Sequence, residues 1–264
     1  MNARSALFDL YGDHLASRGG RAPVAALVRL LGELDIAAPA VRTAVSRMVR
    51  QGWLAAVRLP GGPGYALTPR AVRRLDEAAT RIYRTREPGR DETWHVVVLP
   101  PIRERSARDR LRSGLRYLGY GALDDSTWVA ARPSSELAGL LAAEAVAAET
   151  FSARHDGNSA AMVRRVWDLE ALGAAYQQWL ASARTTVELL GPDASDAEAF
   201  AARSQLVHDW RKFLFVDPNL PDRLLPADWP GRVAARYFDE QAVRLLPAAG
   251  RFIDSCLDPD ERST

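Results

Sequence analysis

Apolar residues at the start of this chain recur with a helical period. Leu7, Leu10, Tyr11 and Leu15 share one face over residues 5–15, and Arg18-Gly19-Gly20 supplies the stop. Pro23 opens a second helix, in which Val24, Leu27, Val28, Leu30, Leu31 and Leu34 repeat at three- and four-residue spacing. A turn through Asp35-Ile36-Ala37-Ala38 leads to a third helix over residues 39–51. Its apolar stripe is Val41, Val45, Met48 and Val49, and Arg42, Thr43, Ser46, Arg47 and Arg50 project from the other side. Gly52 ends that helix. Residues 53–58 read as a strand, residues 59–64 are too rich in Gly and Pro for anything but a loop, and Tyr65-Ala66-Leu67 reads as a second strand ending at Thr68-Pro69.

Three helices followed by a β-hairpin are the order of a winged helix-turn-helix over residues 1–68. In such a module the third helix enters the major groove, where Arg reads guanine O6 and N7 and hydroxyls donate or accept. Arg42, Thr43, Ser46, Arg47 and Arg50 would then face DNA, with the wing from Arg58 to Tyr65 against phosphate. The face carries no acid, whereas an indifferent surface would mix Glu with Arg. The alternative is a helical subdomain whose arginines are merely solvated.

Thr68-Pro69 opens a further helix to about Arg84, with Val72, Leu75, Ala79 and Ile82 on one face. With the Pro/Gly-containing linker at residues 86–91 it makes a connector over 69–90. Residues 94–99 form a β-branched run closed by Pro100-Pro101 and read as a buried strand. A helix over 106–118, a hairpin from 121–123 and 127–130, a helix over 134–141 and a strand over 149–153 complete the order βαββαβ. That is a ferredoxin-like domain over 91–156. From residue 160 the period is helical for about thirty residues, broken at Gly191-Pro192-Asp193. A helix over 196–215, a proline-stiffened connector over 217–231 and a helix over 234–257 complete an all-helical segment, 157–264. The fold class is α+β, multidomain.

Composition narrows the function. The 264 residues, 47% hydrophobic, suffice for two or three compact units. A single cysteine, Cys256, excludes a disulfide framework and any cysteine-based zinc site, and suits a reducing setting. No apolar stretch approaches the roughly 20 residues of a spanning helix, and the start, with Asp9 and Asp13, does not read as a secretory signal. A cytoplasmic protein is expected. The formal net charge of +2 hides an asymmetry: residues 1–90 hold 15 Arg against seven acids, a net of +8, so the remainder carries −6. A basic end on an acidic body reads as a polyanion-binding module joined to one that does not bind polyanions.

Two motif lookalikes carry little. Gly119-x-Gly121 follows a helix and lacks the third glycine of a dinucleotide fingerprint, so it reads as a helix cap and turn. His155-Asp156 near Ser159 lacks any nucleophile elbow and reads as a solvated loop. No catalytic residue, metal site or cofactor is expected.

The run Arg18-Gly19-Gly20, then residues 41–49 and Gly52-Trp53-Leu54, resembles the winged-helix end of the PaaX family of bacterial repressors of phenylacetic acid catabolism. Residues 115–123 look like that family's middle domain. Residues 206–214, with 217–221 and 225–231, are similar to its C-terminal domain. The resemblance implies a homodimeric transcriptional regulator on a palindromic operator, released by an acyl-CoA such as phenylacetyl-CoA. It also implies a middle domain related in fold to a small CRISPR nuclease. That relative uses an aspartate at the end of the first strand, where this chain has Leu99-Pro100-Pro101, so dimerisation is expected there instead. An anionic effector calls for basic groups beside an apolar wall, and His208, Arg211 and Lys212 around Trp210 are the C-terminal cluster of that kind. The same groups could instead brace the helices by pairing with Asp209 and its neighbours. The competing functional class is a metal-dependent nuclease or another enzyme, and a further alternative is an architectural DNA binder without effector.

Overall fold

A computed structural model describes residues 1–60, 62–82, 93–191 and 193–258. In chain order the described residues form α1 (Ala3–Leu10), β1 (Arg21–Pro23), α2 (Val24–Gly32), α3 (Ala38–Arg50), β2 (Leu54–Leu59), β3 (Gly62–Leu67) and α4 (Pro69–Ile82). There follow β4 (Thr93–Val98), α5 (Arg105–Tyr117), β5 (Gly121–Ala122), β6 (Thr127–Ala130), α6 (Leu137–Ala143), β7 (Glu149–Arg154), α7 (Ser159–Val166), α8 (Leu169–Glu188), α9 (Asp196–Trp210) and α10 (Pro230–Leu257). The expected linker over 86–91 lies outside the described residues. No helix among the described residues is long and apolar enough to cross a membrane.

The chain divides into two compact units, one of residues 1–86, 178–211 and 234–264, the other of 87–177 and 212–233. The helical segment after residue 157 therefore contributes to both.

In the first unit the Asn2 carboxamide accepts the Ser5 N–H at 3.0 Å and starts α1. The helix runs on through a π-helical turn, Tyr11–Leu15, and a 3-10 turn, Ala16–Arg18, and stops at Gly19, whose φ of +83° suits glycine. The core is built from both ends of the sequence. Leu7, Tyr11, Leu27, Leu30, Leu31, Val41 and Met48 are buried together with Phe200, Phe252 and Ile253 of α9 and α10. Each such side chain contributes about 1.5–3 kcal/mol by leaving water. Trp210 stacks on Phe238 at 4.7 Å and meets Trp179 edge-on at 4.7 Å, so these tryptophans are core.

The three strands order as β1-β3-β2, antiparallel throughout. The Gly/Pro-rich stretch expected as a loop is partly strand, because Gly62, Pro63 and Gly64 begin the central strand β3. The reason is local. A Cβ on Gly64 would lie 2.6 Å from Leu59 Cδ1 and 2.7 Å from the Ala22 carbonyl oxygen, so only glycine lets β1 close against β3.

The second unit is a four-stranded antiparallel sheet of order β5-β6-β4-β7. Val97, Leu99, Leu111, Leu115, Trp128 and Leu137 form its core with α5 and α6. Gly119, at φ +87°, caps α5 as its sequence context suggests. The helical run expected from residue 160 is interrupted at Trp167, which is extended at φ −122° and ψ 139°. The Asp168 carboxylate then accepts the Ala171 N–H at 2.9 Å and restarts the helix as α8. Tyr176 of α8 stacks on Phe213 at 3.9 Å and donates its hydroxyl hydrogen to Asp217.

Candidate nucleic-acid interface

Helix α3 is positioned by its buried stripe. Val41 and Met48 are fully buried, with Ala44 and Val45 nearly so. The turn before it is closed by Asp35 at φ +58° and by the Ile36 N–H donating to the Leu31 carbonyl at 3.1 Å. Pro39 at the first turn needs no N–H partner and pre-sets φ. After the helix, the Trp53 N–H returns to the Met48 carbonyl at 2.9 Å. The Thr68 hydroxyl donates to the Gly52 carbonyl at 2.7 Å and accepts the Ala71 N–H at 3.3 Å, tying the end of α3 to the start of α4.

With those anchors set, Arg42, Thr43, Ser46, Arg47 and Arg50 are all exposed. At 3.6 residues per turn they fall within an arc of about 140°, opposite the buried stripe. Thr43 donates to the Pro39 carbonyl at 2.9 Å and Arg50 donates to the Ser46 hydroxyl at 2.9 Å, so part of the face is ordered before any partner arrives. Arg58 on β2 is exposed as well. Tyr65 sits differently from that pair of expectations. It is half-buried against the core, and its carbonyl accepts the hydroxyl of the buried Tyr11 at 3.0 Å. Burial pushes the Tyr11 hydroxyl well above its ordinary value, which keeps it a donor.

The cluster expected around an effector is spread over different jobs. His208 Nδ1 lies 2.8 Å from one Asp9 carboxylate oxygen and Arg211 Nη1 lies 2.8 Å from the other. Asp9 is itself buried on α1. Trp210 is 5% exposed and donates its indole N–H to the Ile82 carbonyl at 3.2 Å. Lys212 is exposed and belongs to the other compact unit. Asp209 accepts from Gln205 at 2.6 Å.

Earlier on α9, Arg203 donates Nε and Nη2 to Asp13 at 2.9 and 2.7 Å, with both side chains about 95% buried. It also donates to the Ala242 carbonyl. The carboxylates of Asp9 and Asp13 thus hold α9 against the first helical segment. Two aspartates four residues apart, beside the apolar stripe of α1, were the signal in the sequence, since a carboxylate there needs a cationic partner from elsewhere. His14 is buried beside them. Burial holds its imidazole at a pKa of about 4, outweighing the Asp13 carboxylate 3.0 Å away, with Arg203 and Arg18 acting in the same direction as burial.

Three family models match successive parts of the chain: PaaX-like protein over residues 2–71, the PaaX protein central Cas2-like domain over 87–162, and the PaaX-like protein C-terminal domain over 167–255. The transcriptional repressor PaaX of Escherichia coli (strain K12) is 32% identical over 266 residues, covering 96% of this chain and 83% of the relative. Among solved structures, the uncharacterized protein Rv0674 from Mycobacterium tuberculosis shares the fold with a TM-score of 0.60. It is 23% identical, over 97% of this chain and 98% of that one. With all three segments matched in order and a relative of this identity along nearly its whole length, the chain belongs to the PaaX family.

Proposed function

We propose that this protein is a DNA-binding transcriptional repressor of a catabolic operon, released from a palindromic operator by an acyl-CoA such as phenylacetyl-CoA. The observation that carries the reading is the acid-free face of α3, with three arginines and two hydroxyls exposed opposite a buried stripe. A 13-residue helix is about 20 Å long and fits the major groove, which is about 12 Å wide. On this reading residues 1–68 are a winged helix-turn-helix with β2 and β3 as the wing, and 69–90 connect it to the rest. Arg58 contacts phosphate, and Tyr65 holds the wing in place through its carbonyl.

Residues 91–156 are a ferredoxin-like domain, supported by the strand order β5-β6-β4-β7. They form the homodimer that sets two recognition helices about 34 Å apart on a palindrome. Residues 157–264 carry the response to effector, with His208, Trp210, Arg211 and Lys212 on the segment that responds. The kinship to a repressor supports a cytoplasmic regulator over an enzyme. The test is a gel shift at fixed salt on DNA upstream of the gene and its neighbours. Arg47→Ala is expected to weaken specific binding by about 1–3 kcal/mol, the worth of a bidentate guanine contact. Unchanged affinity removes Arg47 from the recognition role.

A further inference from the structure

The first compact unit contains a groove of about 820 Å³ between the Asp13–Arg18 segment and the outer face of α10. That lies within the range of small-molecule sites, about 300–1,000 Å³. Its wall is apolar in mid-helix, where Val243 is 72% and Leu246 43% exposed next to Pro247. Hydrophobic side chains so open to water in the middle of a long helix gain by any apolar cover.

Guanidiniums stand around that wall. Arg203 is fixed at the inner side by Asp13, and neither is free to leave because both are almost wholly buried. Arg18 is held differently. It donates Nε and Nη2 to Asp254 at 2.7 and 3.3 Å, and Asp254 is 61% exposed. A ligand anion could therefore take the place of Asp254 on Arg18, returning that carboxylate to water at little desolvation cost. Arg251, paired with Asp196 at 3.0 Å, adds a second guanidinium at the same end of the groove. The apolar stretch is short and closed by Asp239 and by Arg251, which fits a small molecule better than a second helix.

We propose that this groove is the effector site, taking a small amphipathic anion whose head pairs with Arg18 and whose apolar body covers Val243, Leu246 and Pro247. The proposal rests on the effector response argued above and locates it. It also gives that response a route to DNA. Arg18 ends the helical segment that begins with α1, and Arg29 of α2 donates to the Ser255 carbonyl at 3.3 Å, next to Asp254. Displacing Asp254 loosens α10 from the helices that carry α3.

The anionic head could be a free carboxylate or the phosphates of an acyl-CoA, whose thioester itself is uncharged. Isothermal titration of the full-length protein with phenylacetate, phenylacetyl-CoA and CoA alone separates these sources, while fluorescence anisotropy follows release of bound upstream DNA. Arg18→Gln and Val243→Glu are expected to weaken binding of the active probe at least tenfold. Leu189→Glu, at an 81% exposed position outside the groove, should bind it as the wild type does. Melting curves on every variant separate lost binding from lost fold. If a probe binds the wild type and releases DNA but the groove variants bind it equally well, the site assignment is overturned and the sensor reading stands. If no probe binds the wild type, both fall. CoA alone binding as tightly as the thioester and indifferent to Val243→Glu also overturns the groove.

Discussion

Removing the Asp13 charge is expected to destabilise the first unit severely. Arg203 is 3% exposed, and its guanidinium meets Asp13 through two bonds of 2.7 and 2.9 Å. Asp13→Asn leaves one acceptor oxygen and points an amide at a cation, so the buried guanidinium loses its compensating charge. Breaking a buried pair from one side costs about 3–5 kcal/mol. At the lower end that is a drop of roughly 6–12 °C in the melting temperature of a unit this size. Removing both charges together, as Asp13→Leu with Arg203→Met, takes away the desolvation of both groups and is expected to recover a large part of the loss. Urea denaturation followed by circular dichroism, with the wild type, Asp13→Leu, Arg203→Met and the double variant compared at constant slope, gives the coupling. A loss below about 1 kcal/mol for Asp13→Asn would refute the reasoning, because it would mean that Arg203 finds water or another anion.

Two other outcomes follow from the same unit. His14 titrates at about 4 when folded against 6.5 in the open chain, so its neutral form is the one the fold holds. Stability is then full above pH 6.5 and falls as the pH drops towards 4, by up to about 3 kcal/mol from this group alone. His14→Leu should flatten that limb of the pH–stability curve, and an unchanged limb would assign the acid sensitivity to other groups. Gly64→Ala should cost about 1–3 kcal/mol, since its Cβ meets the Ala22 carbonyl at 2.7 Å. An alanine variant that melts with the wild type would show that β1 does not depend on that approach.

The helices were legible in the sequence wherever one face is buried and the other wet. The stripe of Val41, Val45 and Met48 against the arginines placed α3 to within a residue at each end. The strands of the second unit were legible from β-branched runs such as Trp94 to Leu99. Strand β1 was not, because Arg21-Ala22-Pro23 is too short to show alternation and exists only by pairing with Gly64 and its neighbours. The break at Trp167 was hidden because Val163, Val166 and Leu169 keep the helical period across it, and only the Asp168 cap marks the restart. For the candidate site, the exposed arginine face of α3 depends on one local helix and could be read directly. The partners of His208 and Arg211 could not, because Asp9 lies about two hundred residues away in sequence. Local pattern shows that a buried carboxylate needs a cation, and only the packing of α9 on α1 shows which one.

The central claim is that α3 reads a specific DNA sequence. Its most direct test is fluorescence anisotropy of the full-length protein on DNA upstream of the gene and on a scrambled duplex of equal length, over a salt series. The account predicts upstream binding at least 10³-fold tighter than scrambled at physiological salt. It also predicts a Thr43→Ala, Arg47→Ala double variant that loses this preference while keeping the salt slope to within about two phosphate contacts. Equal affinity for both duplexes, or a preference unchanged in that variant, would contradict it.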